Sequence, residues 1–91
     1  VTRVEVQIQS ELGLHLRAAA RFVETASRWP CRVRVATTGP LVDGKSLLAL
    51  SSLLARQGAT LSIECEGSGE EEAAAALTLL VRKGFPSAEP R

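Results

Sequence analysis

Ninety-one residues, with 11 Lys+Arg, 10 Asp+Glu and one His, are enough for one small domain with a single core and too few for two. A formal charge of +1 and only three aromatics, Phe22, Trp29 and Phe85, exclude the basic excess and the base-stacking platforms of a nucleic-acid binder. No apolar run approaches the roughly 20 residues of a membrane-spanning helix and nothing at the start reads as a signal peptide, so no membrane insertion and a cytoplasmic address are expected.

Val4, Val6 and Ile8 alternate with Arg3, Glu5 and Gln7, the period of a strand buried on one face, over about residues 2–9. A loop over 10–15 follows. A helix then runs to about residue 28, with Ala19, Ala20, Phe22, Val23 and Ala26 inward and Arg17, Arg21, Glu24 and Arg28 outward. Pro30 is expected to end it, because proline biases the preceding Trp29 away from helical geometry. Cys31, Val33 and Val35 alternate with Arg32 and Arg34 in a second strand. Thr38-Gly39-Pro40 is a turn, Leu41-Val42 a short third strand, and Asp43-Gly44 a second turn.

Ser46 is a candidate N-cap for a second helix over 46–57, with Gly58 as its stop. Leu47, Leu50, Leu53 and Leu54 share one stripe at 3.6 residues per turn. Leu48 falls off it, near Ser51 and Ala55, and is expected to be exposed. Leu61, Ile63 and Cys65 alternate with polar residues in a fourth strand over 60–66. Gly67-Ser68-Gly69 turns the chain into a last helix that begins with Glu70, Glu71 and Glu72 and ends with Arg82 and Lys83. Those charges complement the helix dipole at both ends, so the acidic run reads as a helix start and not as a metal site. A flexible tail is expected over 86–91. The order strand-helix-strand-strand-helix-strand-helix with one-faced strands implies an α+β open-faced sandwich, a four-stranded antiparallel sheet with three helices on one face.

Cys31 and Cys65 are far apart and form no Cys-x-x-Cys pair, so they read as reduced thiols packed on strands; one histidine cannot make a histidine-rich metal site. No metal or cofactor is implied. The residue that stands out is His15, at the point where strand-like sequence passes into the first helix. The first N–H groups of a helix lack intrahelical partners and carry partial positive charge, which suits a bound or covalent anion. Arg17 and Arg21 add cationic charge on one face. Such a histidine suits a phosphoryl group, although a lone histidine at a helix start is more often a simple cap or surface residue.

Gly13-Leu14-His15-Leu16-Arg17-Ala18-Ala19-Ala20 followed by Phe22-Val23 resembles the phosphorylation motif of the HPr family, the histidine-containing phosphocarriers of the bacterial phosphotransferase system. Asp43-Gly44-Lys45-Ser46-Leu47-Leu48 is similar to the segment bearing that family's regulatory serine, and residues 58–73 resemble its final strand and helix. The resemblance covers residues 1–85 and implies the fold above. It also implies that His15 is phosphorylated on Nδ1 by phospho-enzyme I and passes the group to enzyme II A domains, with Arg17 offsetting charge. It makes Ser46 a target of an HPr kinase/phosphorylase, and Leu16, Ala20, Leu47, Leu48 and Ser51 a docking face. The chain would be a monomeric carrier and not an enzyme that turns over substrate. It departs from the family pattern at Ala18, where proline is usual, at Leu12, where a small polar residue is usual, and at Leu16, where alanine is usual. Two other readings are an HPr-like docking regulator with reduced transfer and a small ligand-binding α+β domain.

Overall fold

A computed structural model describes residues 1–86. Seven elements follow one another: β1 (Thr2–Gln7), α1 (Leu16–Ala26), β2 (Arg32–Ala36), β3 (Val42–Asp43), α2 (Leu47–Ser51), β4 (Thr60–Glu66) and α3 (Glu70–Arg82). The strands form one sheet in the order β1-β4-β2-β3, and every neighbouring pair is antiparallel. Pairing Val4 with Ile63, Val6 with Leu61, and Val35 with Ile63 puts the apolar residues of adjacent strands on one face, because side chains alternate along a strand. Ala18, Ala19, Phe22 and Ala26 of α1, Leu50 of α2, and Ala73, Ala74, Leu77 and Val81 of α3 close over that face in a single core.

The other face is polar. Its centre is Glu64, 6% exposed, which accepts from Arg3 Nη2 and from Arg34 Nη2 at 2.6 Å each. The two guanidiniums span β1, β4 and β2 and hold the carboxyl below its usual range, first through the Arg3 hydrogen bond. At the start of α3, Glu70 accepts from the Gly67 N–H at 3.0 Å and from the Thr2 hydroxyl at 2.7 Å. The acidic run thus forms the first turn of α3, as its position predicts.

The ends of α1, α2 and β1 and the side on which Ala20 lies differ from expectation. α1 ends at Ala26, not near residue 28, and Pro30 is not its stop. Arg28 N–H already bonds to Thr25 O at 3.1 Å, a tightened final turn. This turn swings Trp29 against Gly69, where an added Cβ would lie 2.6 Å from Trp29 Cδ1, and lets the Trp29 carbonyl accept from Lys45 Nζ at 2.6 Å.

α2 stops at Ser51 and does not reach Gly58. Leu54 has φ +52, and beyond it the Ala55 carbonyl accepts from Leu14 N–H while Gly58 N–H donates to Ile8 O, both at 2.9 Å. These bonds to the histidine loop and to the chain just past β1 require irregular backbone where helix was expected. Leu54 is therefore 80% exposed instead of core, and Ala55 is buried instead of lying beside Leu48.

Ala20, placed inward by periodicity, is exposed on α1, since Ala18 and Ala19 already fill the buried stripe. β1 ends at Gln7 where residue 9 was expected; Ile8 continues beyond it by donating to Ala59 O and accepting from Gly58 N–H. The expected tail from Pro86 lies, from residue 87 onward, outside the described residues.

Candidate functional site

The histidine loop is held from behind before it presents anything outward. Gly13 adopts φ +65, a left-handed conformation that glycine takes without strain, and a Cβ there would come within 2.4 Å of the Ala55 carbonyl oxygen. Close backbone approach is thus possible only with glycine. Gly13 N–H closes the turn onto Ser10 O at 3.0 Å, and Leu14 N–H donates to Ala55 O, with the Leu14 side chain buried in the core.

His15 then occupies the N-cap of α1 with extended backbone, φ −73 and ψ 177. Its carbonyl accepts from Ala19 N–H at 2.8 Å, and its ring Nδ1 accepts from Ala18 N–H at 3.3 Å. The ring is half-buried. It borders a shallow open hollow with Leu12, Leu16, Arg17 and Ala20. A second hollow, lined by Arg17, Ala20, Arg21, Val23, Glu24 and Leu47, shares Arg17 and Ala20 with the first. One continuous surface therefore runs from the histidine loop across α1 to α2.

The two arginines expected beside the imidazole are not equivalent. Arg21 is paired with Glu24 at 2.6 Å, whereas Arg17 is exposed and has no carboxylate partner among the described residues. Arg17 is the cation left available to an incoming anion. Apolar side chains flank it: Leu12 is 77% and Leu16 67% exposed, and Leu47 is exposed less.

Ser46 is the N-cap of α2, its Oγ accepting from Ala49 N–H at 3.2 Å. The Asp43 side chain holds the preceding turn by accepting from Lys45 N–H at 2.9 Å. Leu47 and Leu48 leave this cap toward solvent, and Ser51 is half-buried on the last turn. The structure thus brings together His15, Leu16, Arg17 and Ala20 around one hollow and Arg17, Ala20 and Leu47 around the next, while Ser46, Leu48 and Ser51 line neither. Leu12 is a member of the histidine hollow that helical periodicity could not reveal, because it lies in the loop; the turn signalled by Gly13 is the only hint of it. No cluster of three or more metal-ligating side chains occurs among the described residues, and no described helix is long and apolar enough to cross a membrane.

Residues 2–83 match the protein family described as "PTS HPr component phosphorylation site". The chain belongs to the HPr family. It is 45% identical over 87 residues to phosphocarrier protein HPr of Pseudomonas aeruginosa, a match covering 94% of this chain and 97% of that one. The solved structure of HPr-C-His from Thermoanaerobacter tengcongensis has a TM-score of 0.90 at 35% identity, covering 98% of this chain and 100% of that one. HPr from Bacillus anthracis has a TM-score of 0.84 at 35% identity, with 88% and 95% covered. The four-stranded sheet and three helices are thus the HPr fold, and the family is that of the phosphocarriers of the phosphotransferase system. Membership over nearly the whole chain sets aside an unrelated ligand-binding domain.

Proposed function

We propose that this HPr-family chain is a phosphocarrier that takes a phosphoryl group from phospho-enzyme I onto His15 Nδ1 and yields it to enzyme II A domains. The observation that carries this reading is the placement of the imidazole at the start of α1, its Nδ1 turned toward the helix's first N–H groups and the unpaired Arg17 next in the hollow. In the transfer, the Nδ1 lone pair attacks phosphorus, the bond from phosphorus to the donor breaks, and its electron pair stays with the donor. The free N–H groups of the first turn and the Arg17 guanidinium offset charge on the phosphoryl oxygens as the bond changes hands. The step runs in reverse toward the next acceptor, since a P–N bond remains reactive.

The exposed leucines serve docking. Leu16 and Ala20 flank the histidine, and Leu47, Leu48 and Ser51 extend the surface across α2, so a partner that buries them brings its own phosphoryl-bearing group over His15. Exposed apolar side chains contiguous with a functional group mark contact surfaces more often than scattered ones do. Ser46 sits beside this surface, where phosphorylation by an HPr kinase/phosphorylase places a dianion against apolar contacts.

Incubation with enzyme I and phosphoenolpyruvate followed by intact-mass measurement tests the reading. The expected result is a gain of one phosphoryl group that is acid-labile and base-stable, absent in His15→Ala. Arg17→Ala should slow uptake and leave the melting temperature nearly unchanged, because the side chain is exposed. An unchanged mass with an active enzyme I overturns the proposal.

A further inference from the structure

We infer that the main-chain N–H of Ala18 is a positioning group for His15, fixing the neutral ring with Nδ1 unprotonated and the proton on Nε2. The inference rests on the reading of His15 as the phosphoryl acceptor and goes beyond it in naming what prepares the nucleophile. Ala18 N–H points at Nδ1 at 3.3 Å. A ring nitrogen receives such a bond only through its lone pair, so the tautomer carrying hydrogen on Nδ1 would set two hydrogens against each other.

The donor has no competing use. It is the third N–H of α1, one of the first four that the helix leaves without a partner, and Ala18 itself is wholly buried, so water does not replace the bond freely. Alanine at this position supplies the donor, and proline would have no N–H to give.

The chemical consequence is a simpler first step. With the lone pair already on Nδ1, the N–P bond forms without prior loss of a proton there. Nε2 keeps its hydrogen throughout, and the phosphorylated ring is a cation beside the phosphoryl oxygens. At 3.3 Å the bond lies at the long end of the hydrogen-bond range. It orients the lone pair and gives way when phosphorus arrives.

The test reads the tautomer in the free, unphosphorylated protein, so its outcome does not depend on enzyme I. Long-range imidazole ¹H–¹⁵N spectra, recorded at a pH where the ring is neutral, are compared for wild type, Ala18→Pro, which removes the N–H, and Ala18→Gly, which keeps it. Wild type and Ala18→Gly should show unprotonated Nδ1. Ala18→Pro should raise the ratio of the Nδ1–H to the Nε2–H form by roughly two- to tenfold, the range set by one net hydrogen bond. An unchanged ratio in folded Ala18→Pro overturns the inference, as does a wild-type ring with hydrogen on Nδ1. If Ala18→Pro does not fold, wild type alone decides. A scalar coupling between the Ala18 amide nitrogen and His15 Nδ1 supports the bond, and its absence together with mixed tautomers refutes it. Failure of phosphoryl uptake with the expected tautomer would instead count against the carrier reading alone.

Discussion

The main-chain N–H of Leu14 donates to the carbonyl oxygen of Ala55 across 2.9 Å, which ties the residue before His15 to the strip of chain leaving α2. Gly13 makes this approach possible, since its missing Cβ would otherwise lie 2.4 Å from that same oxygen. Gly13→Ala is therefore expected to lower stability by about 1–3 kcal/mol, from left-handed strain and the backbone clash. It should also slow phosphoryl uptake under conditions where the variant is fully folded. Thermal denaturation paired with uptake rates checks this; an unimpaired rate in a destabilised protein would mean that the loop anchor serves stability only.

Leu48 and Leu50 are two positions apart and have opposite roles. Leu50 is 0% and Leu48 84% exposed. Leu50→Ala should cost about 2–5 kcal/mol through lost transfer energy and a cavity, whereas Leu48→Ala should change stability by less than about 0.5 kcal/mol. If Leu48 belongs to the docking surface, its truncation should raise the Kd for enzyme I by about tenfold, as an anchor residue does. Calorimetry with both variants checks the split, and full affinity in Leu48→Ala removes that residue from the surface.

Ser46 separates capping from regulation. Ser46→Ala loses the bond to Ala49 N–H, and should cost about 1 kcal/mol with transfer unaffected. Ser46→Asp can still cap α2, yet it adds a charge next to Leu47 and Leu48, so it should keep the fold and weaken docking. A Ser46→Asp protein that accepts phosphate from enzyme I as fast as wild type shows that the serine is a cap and nothing more.

The acid side of the stability profile should carry the signature of Glu70. The Gly67 N–H and, next, the Thr2 hydroxyl hold its carboxyl down, at about 2 against 4.5. A carboxyl whose folded pKa is depressed stabilises fully above its unfolded value and loses that contribution as pH falls through its folded one. The stability difference between wild type and Glu70→Gln should thus be constant above the ordinary carboxylate range and shrink between about 4.5 and about 2. Glu64, also depressed, is present in both proteins and cancels in the difference. Denaturant titrations across this range test it; a difference independent of pH would place the Glu70 contribution elsewhere.

The buried thiols give a further check. Burial pushes Cys65 up to about 11, and Cys31 is also buried and unbridged. Neither should react with an alkylating reagent in the native protein, and both should react after unfolding. Rapid modification of the folded chain, followed by mass spectrometry, would contradict this packing.

Local signals in the sequence reached the elements and the histidine well. Alternation fixed which strand residues face the core, and the position of His15 after a glycine turn located the cap of α1. What escaped were features decided between distant segments. The leucine stripe through Leu53 and Leu54 suggested a longer α2, but the Ala55 and Gly58 main-chain bonds to Leu14 and Ile8 outweigh a local preference for helix. Ala20 escaped for a related reason: alanine is equally at home inside and outside, so only the packed neighbours Ala18 and Ala19 determine its side. The clasp of Glu64 by Arg3 and Arg34 needed the strand order, which no spacing encodes. The lone carbonyl of Trp29 bonded by Lys45 needed the tertiary placement of both.

As proposed, it is His15 Nδ1 that carries the phosphoryl group. The most direct measurement is ³¹P–¹⁵N correlation on ¹⁵N-labelled protein after reaction with enzyme I and phosphoenolpyruvate. A single phosphorus bonded directly to Nδ1 of His15 is expected. Phosphorus on Nε2, on another residue, or no phosphoryl group at all under conditions where enzyme I is active would contradict it.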